Sequence, residues 1–212
     1  VPAERPILYV LAGVNGAGKS SIGGAALRRA GLDWFNPDAF TRELIDATGS
    51  PLPDANAAAW QEGLRRLDAA IADGTDHAFE TTLGGHTIAA RLREASATHD
   101  VLMWFCGLDS PERHLARVRL RVSRGGHDIP EAKIRERYVA SIANLVALLP
   151  HLAQLQVYDN SHDVAPGTPV PNPRLLLQME RGRIAWPRDV QALRDMPDWA
   201  KPVLETALSG VA

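Results

Sequence analysis

Eight residues near the start of the chain constrain its fold more than any others. Gly13-Val14-Asn15-Gly16-Ala17-Gly18-Lys19-Ser20 fit the pattern G-x-x-x-x-G-K-[ST] at every fixed position. The pattern has a mechanism only between a strand and a helix, and that is where it stands. Residues 7–12 form a short, nearly continuous apolar run, the signature of a buried parallel strand. Residues 19–30 are rich in Ala, Leu and Arg and are followed by Gly31, which reads as a helix with its C-cap. In that setting the glycines let successive backbone N–H groups turn inward on phosphate oxygens, and the helix N-terminus adds unpaired donors and a favourable dipole. Lys19 is expected to reach the β- and γ-phosphates, and Ser20 to take Mg²⁺, a hard cation suited to oxygen ligands. The loop is thus expected to hold the phosphates of ATP, or of GTP, through Gly13, Asn15, Gly16, Ala17, Gly18, Lys19, Ser20 and Ser21. A chance match in a Gly/Ala-rich turn is the competing reading, and the flanking strand and helix argue against it.

The rest of the 212 residues continues the alternation of strand and helix. Trp34-Phe35-Asn36 reads as a short second strand, residues 77–81 as a third, 101–108 as a fourth and 154–158 as a fifth. Helices are expected over 37–46, 55–72, 87–97, 110–123 and 130–149, with Ser50-Pro51-Leu52-Pro53 as a loop. A Pro-rich link at 166–173 leads to a hairpin (174–179 and 183–186) and a terminal helix over 199–208. This order implies a doubly wound α/β sheet with ligands at the carboxyl ends of its strands. The expected division is a core at 1–165, carrying a lid at about 112–137, and a 166–212 hairpin and helix packed on it. Trp186 and Trp199 are expected to be core anchors.

Composition narrows the function classes. The formal net charge of −2 gives no global attraction to nucleic acid. Cys106, the single cysteine, stands in an apolar run and reads as a buried thiol, which suits a reducing compartment. No stretch approaches the ~20 apolar residues of a membrane span, and the first residues lack a secretory pattern. A cytoplasmic protein with no membrane partner is the expectation.

Three further clusters fall where strands end. In Asn36-Pro37-Asp38, Asp38 reads either as the base that takes a proton from a substrate hydroxyl or as a helix N-cap. In Phe79-Glu80-Thr81-Thr82-Leu83, Glu80 emerges from an apolar strand and needs a partner, so it is assigned to Mg²⁺ or a substrate hydroxyl. Thr82 is assigned to a substrate oxygen, against a turn role for Thr81 and Thr82. Asp109 also follows an apolar strand, but Ser110-Pro111-Glu112 suggests simple capping.

The third cluster is basic. Between Glu112 and Arg137 there are eight basic residues against four acids. Arg113, Arg117, Arg121 and Arg124 share one helical face that runs into Gly125-Gly126 and His127-Asp128-Ile129-Pro130. A face of one sign ending at a Gly-Gly hinge reads as a lid that brings arginines onto a transferring phosphate. Arg121 and Arg124 are assigned to that phosphate, and Arg117 to the nucleotide. His127 reads either as a phosphate contact or as part of the turn. Asn160, in Asp159-Asn160-Ser161, is assigned to the nucleotide, with an ordinary turn as the alternative.

Taken in order, these motifs resemble the zeta-toxin-like small P-loop kinases, in particular their short single-domain bacterial branch described as ABC-type ATPases. The matching part covers roughly residues 6–161. The resemblance implies a P-loop NTPase fold of the kinase type, with a five-stranded parallel sheet of order 2-3-1-4-5 and an Arg-bearing helical lid. It implies Asp38 as the catalytic acid after strand two, Lys19 as the loop lysine, Glu80 and Thr82 at the end of strand three, and Arg121 as a lid arginine. In zeta toxins the activity is ATP-dependent phosphorylation of UDP-N-acetylglucosamine, so a UDP-sugar acceptor and a small helical antitoxin partner are implied here. One position departs: a second lid arginine is replaced by His127, so Arg124 or Arg135 substitutes for it, or the phosphate is held differently. Glu62 stands where a substrate-binding acid would fall.

Three functional readings follow. The first is a kinase acting on a hydroxyl of a nucleotide-sugar-like or nucleotide-like small molecule. The second is a nucleotide-dependent switch or ATPase with no such acceptor. The third is a polynucleotide or RNA kinase, which needs an extended basic and aromatic track; aromatics at 6% rank it last.

Overall fold

The structure, a computed structural model, describes residues 5–19, 34–162 and 171–210. The helix expected after Lys19, its Gly31 cap, Ser20, Ser21 and the first part of the Pro-rich link lie outside the described residues.

The elements are β1 (Ile7–Ala12), α1 (Pro37–Thr48), α2 (Leu52–Asp73), β2 (His77–Thr81), α3 (His86–Ala95), β3 (Asp100–Gly107), α4 (Pro111–Val122), α5 (Glu131–Leu148), β4 (Gln154–Asp159), β5 (Arg174–Glu180), β6 (Arg183–Trp186), α6 (Val190–Arg194) and α7 (Lys201–Leu208). The sheet has six strands in the order β2-β1-β3-β4-β5-β6. β2, β1, β3 and β4 run parallel, in registers such as Leu11↔Glu80, Leu11↔Trp104 and Phe105↔Val157. β5 and β6 add on antiparallel.

The five-stranded parallel sheet is therefore corrected in two places. The expected second strand is a single parallel bridge, Phe35↔Phe79. Phe35 exchanges two bonds with its neighbour strand, through Ala78 O and Glu80 N. The chain then leaves the sheet, because Asn36 caps α1 and Pro37 has no N–H to offer a ladder. At the other edge the C-terminal hairpin does not merely rest against the sheet. It extends it, with Leu155↔Met179 and Val157↔Leu177 in register. Arg181 and Gly182, both at positive φ, make the two-residue turn that suits the strands' twist.

α2 begins at Leu52, earlier than the expected loop allows, since proline is tolerated in a helix's first turn. Trp199 is buried as expected and lies against Gly107 and Phe105. Trp186 is not a core anchor: on the edge strand it is 48% exposed.

Two apolar clusters hold the site in place. The main one runs through the sheet, from Leu8, Val10 and Phe79 to Met103, Leu155 and Leu177. A smaller one joins Val14 of the phosphate loop to Leu115, Val118 and Ile134. The foot of the arginine helix α4 is thereby packed directly on the loop. Among the described residues no helix is long and apolar enough to cross a membrane.

Candidate active site

The loop at 13–19 leaves β1 at the carboxyl edge of the sheet, tied to β2 by Gly13 N–H to Thr81 O. Gly13 sits at φ +138°, and a Cβ there would stand 2.2 Å from the Cys106 carbonyl. Only glycine lets the loop turn this close to β3. Three side chains brace the loop from beneath. Asn160 Nδ2 donates to Ala17 O at 2.8 Å, Cys106 Sγ donates to the same carbonyl at 3.0 Å, and His114 Nδ1 donates to Asn15 O at 2.8 Å. Burial pushes the Cys106 thiol up to about 12 and the His114 imidazole down to about 4. Both are therefore neutral donors at ordinary pH.

Lys19, 8% exposed, donates to Gly13 O at 2.8 Å and stands 3.3 Å from Glu80 Oε1. Asn36 Nδ2 holds the other oxygen, Glu80 Oε2, at 2.9 Å. The buried carboxylate thus has the partner that its position at the strand end demands. Asn36 also caps α1, its Oδ1 accepting from Ala39 N. Asp38 is therefore not the N-cap. It lies in the first turn of α1, with Arg121 Nη1 3.4 Å from its Oδ2 and His127 Nε2 3.8 Å from its Oδ1. The Thr81 and Thr82 hydroxyls accept from Leu83 N and Gly84 N and shape the turn after β2.

The arginines divide. Arg117 donates to Asn160 O and His162 O and lines the cleft above the loop, as do Arg121 and Arg124. Arg121 also donates to His127 O, and its buried Nε has no hydrogen-bond partner among the described residues. Arg113 pairs with Asp109 and holds that carboxyl below its usual range. Arg135 points away from the site to Glu112 and Glu131, at 2.6 and 2.8 Å; it is not placed to replace the arginine missing at His127. Glu62 lines neither cavity. Hydrogen bonds from Arg65 and then Arg66 hold its carboxyl down at about 2.

Two cavities meet over the loop. One, about 550 Å³, is lined by Gly16, Gly18, Lys19, Arg117, Arg121 and Arg124. The other, about 330 Å³, is walled by Phe35, Ala59, Trp60, Leu64, Phe79 and Ile88, with Thr82 at its edge. Asn15, Asp38, Glu80 and His127 line both. One chamber is cationic and rich in backbone donors, the other largely apolar, and the carboxylates stand between them.

Among the described residues no group of three or more His, Cys, Asp or Glu side chains could hold a metal ion. A lone carboxylate beside a phosphate loop nonetheless suits Mg²⁺, which takes one or two carboxylates and completes its shell with phosphate oxygens and water.

Sequence reasoning picked out Lys19, Asp38, Glu80 and Arg121, which the fold gathers around one junction. It missed four contributors. Arg137 reaches Asn15 Oδ1 at 2.8 Å, but in the sequence it was one of eight basic residues on two helices and the turn between them. No sequence signal marked His114, which the structure buries on α4. Trp60 and Phe35 form the apolar chamber from distant segments, and no local signal marked them. Asn160 lines neither cavity and acts on the loop instead.

No protein-family profile matches the chain. An uncharacterized protein of Haemophilus influenzae is 30% identical over 147 residues, covering 65% of this chain and 95% of that protein. A shikimate kinase of Paramagnetospirillum magneticum is 35% identical over 99 residues, 45% of this chain and 49% of that enzyme. Among solved structures, a chain of the AvrRxo1-ORF1:AvrRxo1-ORF2 structure with sulphate ions superposes with a TM-score of 0.63 at 16% identity, over 92% of this chain and 64% of that one. The PezAT toxin-antitoxin system of Streptococcus pneumoniae gives 0.55 at 16% identity, over 74% and 68%.

Proposed function

We propose that this chain, which belongs to the family of the Haemophilus influenzae protein and has the small P-loop kinase fold of the zeta-toxin type, is an ATP-dependent kinase of a small-molecule hydroxyl. One observation carries the reading: Asp38 and Glu80 stand where a cationic, donor-lined chamber opens into a separate apolar one. A switch or simple ATPase has no use for the second chamber.

In this reading ATP, or GTP, lies with its phosphates on the loop, held by the backbone from Gly13 to Gly18 and by Lys19. Glu80 and Ser20 would hold Mg²⁺, which supplies charge neutralisation on the phosphates. The acceptor, nucleotide-sugar-like or nucleotide-like, enters the 330 Å³ chamber. Its hydroxyl proton passes to the Asp38 carboxylate as its oxygen bonds to the γ-phosphorus. The bond from that phosphorus to the β,γ-bridging oxygen breaks, and ADP leaves with the electron pair. Arg121 turns from Asp38 to the transferring group; its unpaired Nε, costly to leave buried, then gains an anion.

A small helical antitoxin partner, and with it a toxin role, rests on the toxin-antitoxin relative alone; co-purification with the product of a neighbouring gene tests it. A cytoplasmic setting is proposed because the lone cysteine is a buried thiol.

The test of the kinase reading is incubation of the wild-type protein and Asp38→Asn with labelled ATP·Mg²⁺ and a panel of UDP-sugars, nucleosides and nucleotides, followed by mass spectrometry. Transfer by the wild type that falls about 10²- to 10⁴-fold in the variant, with ATP binding kept, is expected. Equal transfer by both proteins overturns the role of Asp38. ATP hydrolysis with no phosphorylated product supports the ATPase reading instead.

A further inference from the structure

We infer that the acceptor is a compact hydroxylated anion and that Arg137 docks its charged group, a carboxylate or a phosphate, inside the apolar chamber; the inference rests on the kinase reading above. Arg137 projects from α5 into the 330 Å³ cavity and does not line the larger cleft. A ligand touching it therefore lies on the acceptor side of Asp38.

Its electrostatic situation differs from that of its neighbours. Arg113, Arg119, Arg121, Lys133 and Arg135 each stand against a carboxylate. Arg137 is half-buried, and its Nη1 donates to the neutral amide oxygen Asn15 Oδ1, at 2.8 Å. Among the described residues no carboxylate forms an ion pair with it. A half-buried guanidinium that lines a cavity with Phe35, Phe79 and Ile88, with no carboxylate in ion-pair contact among the described residues, is costly, and an anionic ligand offsets part of that cost. The remaining N–H groups of the guanidinium offer a fork that fits a carboxylate or phosphate.

The placement is built into the backbone. A Cβ on Gly84 would stand 2.5 Å from Arg137 Cγ, 2.9 Å from its Cβ and 3.2 Å from its Cα. The turn after β2 therefore admits α5 at this distance only with glycine at 84. Arg137 is held between that turn and the phosphate loop, so little side-chain freedom is lost on binding. The chamber's volume, about 330 Å³, is at the small end of ligand sites, and its walls are largely apolar. A compact metabolite, no larger than a mononucleotide, with one hydroxyl toward Asp38 and one anionic group toward Arg137 matches it.

Two matched probe pairs test this by calorimetry: shikimate against its methyl ester, and uridine 5′-monophosphate against uridine. The wild type is expected to prefer at least one anion over its neutral partner by about 10- to 100-fold, the worth of a charge-assisted hydrogen bond. The pair that shows the preference tells carboxylate from phosphate. Arg137→Gln is expected to abolish the preference and Arg137→Lys to keep part of it. Gly84→Ala is expected to weaken it with the charge still present, provided its thermal unfolding shows a folded protein. No preference in the wild type, or a preference retained in Arg137→Gln, overturns the inference. So does a loss confined to ATP affinity, which would place Arg137 on the nucleotide. The titrations need no turnover, so a discriminating chamber with no phosphorylated product would sink the kinase reading while leaving Arg137 as an anion site.

Discussion

Lys19 Nζ stands 3.3 Å from Glu80 Oε1, with the two side chains 8% and 12% exposed. The ammonium expected to meet phosphate is held at the loop by a carboxylate from the neighbouring strand. Removing one partner leaves the other charge buried and uncompensated. Lys19→Met is expected to cost about 3–5 kcal/mol of stability and to abolish ATP binding. Adding Glu80→Gln should return most of the stability and none of the affinity. Urea unfolding with ATP titration reads both, and a double variant as unstable as the single one would count against the pairing.

Gly13 and Gly49 both lie at positive φ but differ in surroundings. A Cβ at Gly13 meets the Cys106 carbonyl, whereas one at Gly49 meets nothing within 4 Å. Gly49→Ala should cost about 1 kcal/mol, the backbone penalty alone. Gly13→Ala should cost about 3 kcal/mol through forced movement of the loop, and lower ATP affinity with it. Chemical denaturation of both variants separates strain from clash.

Acid should weaken the loop's support through His114. Burial lowers its folded pKa to about 4, while in the unfolded chain it titrates near 6.5. The unfolded state therefore binds the proton first, and stability falls as pH drops from about 6.5 toward 4, by about 3 kcal/mol for this group. His114→Asn keeps a donor near the Nδ1 position and cannot titrate in this range. Its stability should vary less with pH over that window, as measured by unfolding at pH 7, 5.5 and 4.5. An unchanged slope would show that another group is responsible.

The two C-terminal tryptophans should behave oppositely. Trp199 is 6% exposed against Gly107 and Phe105, so Trp199→Ala should cost about 3–5 kcal/mol. Trp186 is 48% exposed on the edge strand, and Trp186→Ala should stay within about 1 kcal/mol. Melting curves of the two variants decide it.

What the sequence determined by itself was local. The loop at 13–19, the strand that feeds it and the order of strands and helices follow from apolar runs, glycines and caps, which act over a few residues. Lys19, Asp38, Glu80 and Arg121 were legible as candidates for the same reason: each stands in a glycine-rich loop, at or after the end of a short apolar run, or on one face of a helix. The tertiary structure decided which of them meet. Whether 34–36 makes a strand depended on Asn36 and Pro37 drawing the chain into α1, and the hairpin joined the sheet because β4 offered a free edge. The neighbouring arginines Arg135 and Arg137 share a helix but part company, one against Glu112 and Glu131, the other past Gly84 to Asn15. No pattern of spacing separates them, because the contacts that take one toward Glu112 and the other toward Asn15 come from packing between α4, α5 and the loop. The phosphate site is written in consecutive residues; the chamber beside it is made of contacts between segments far apart in the chain.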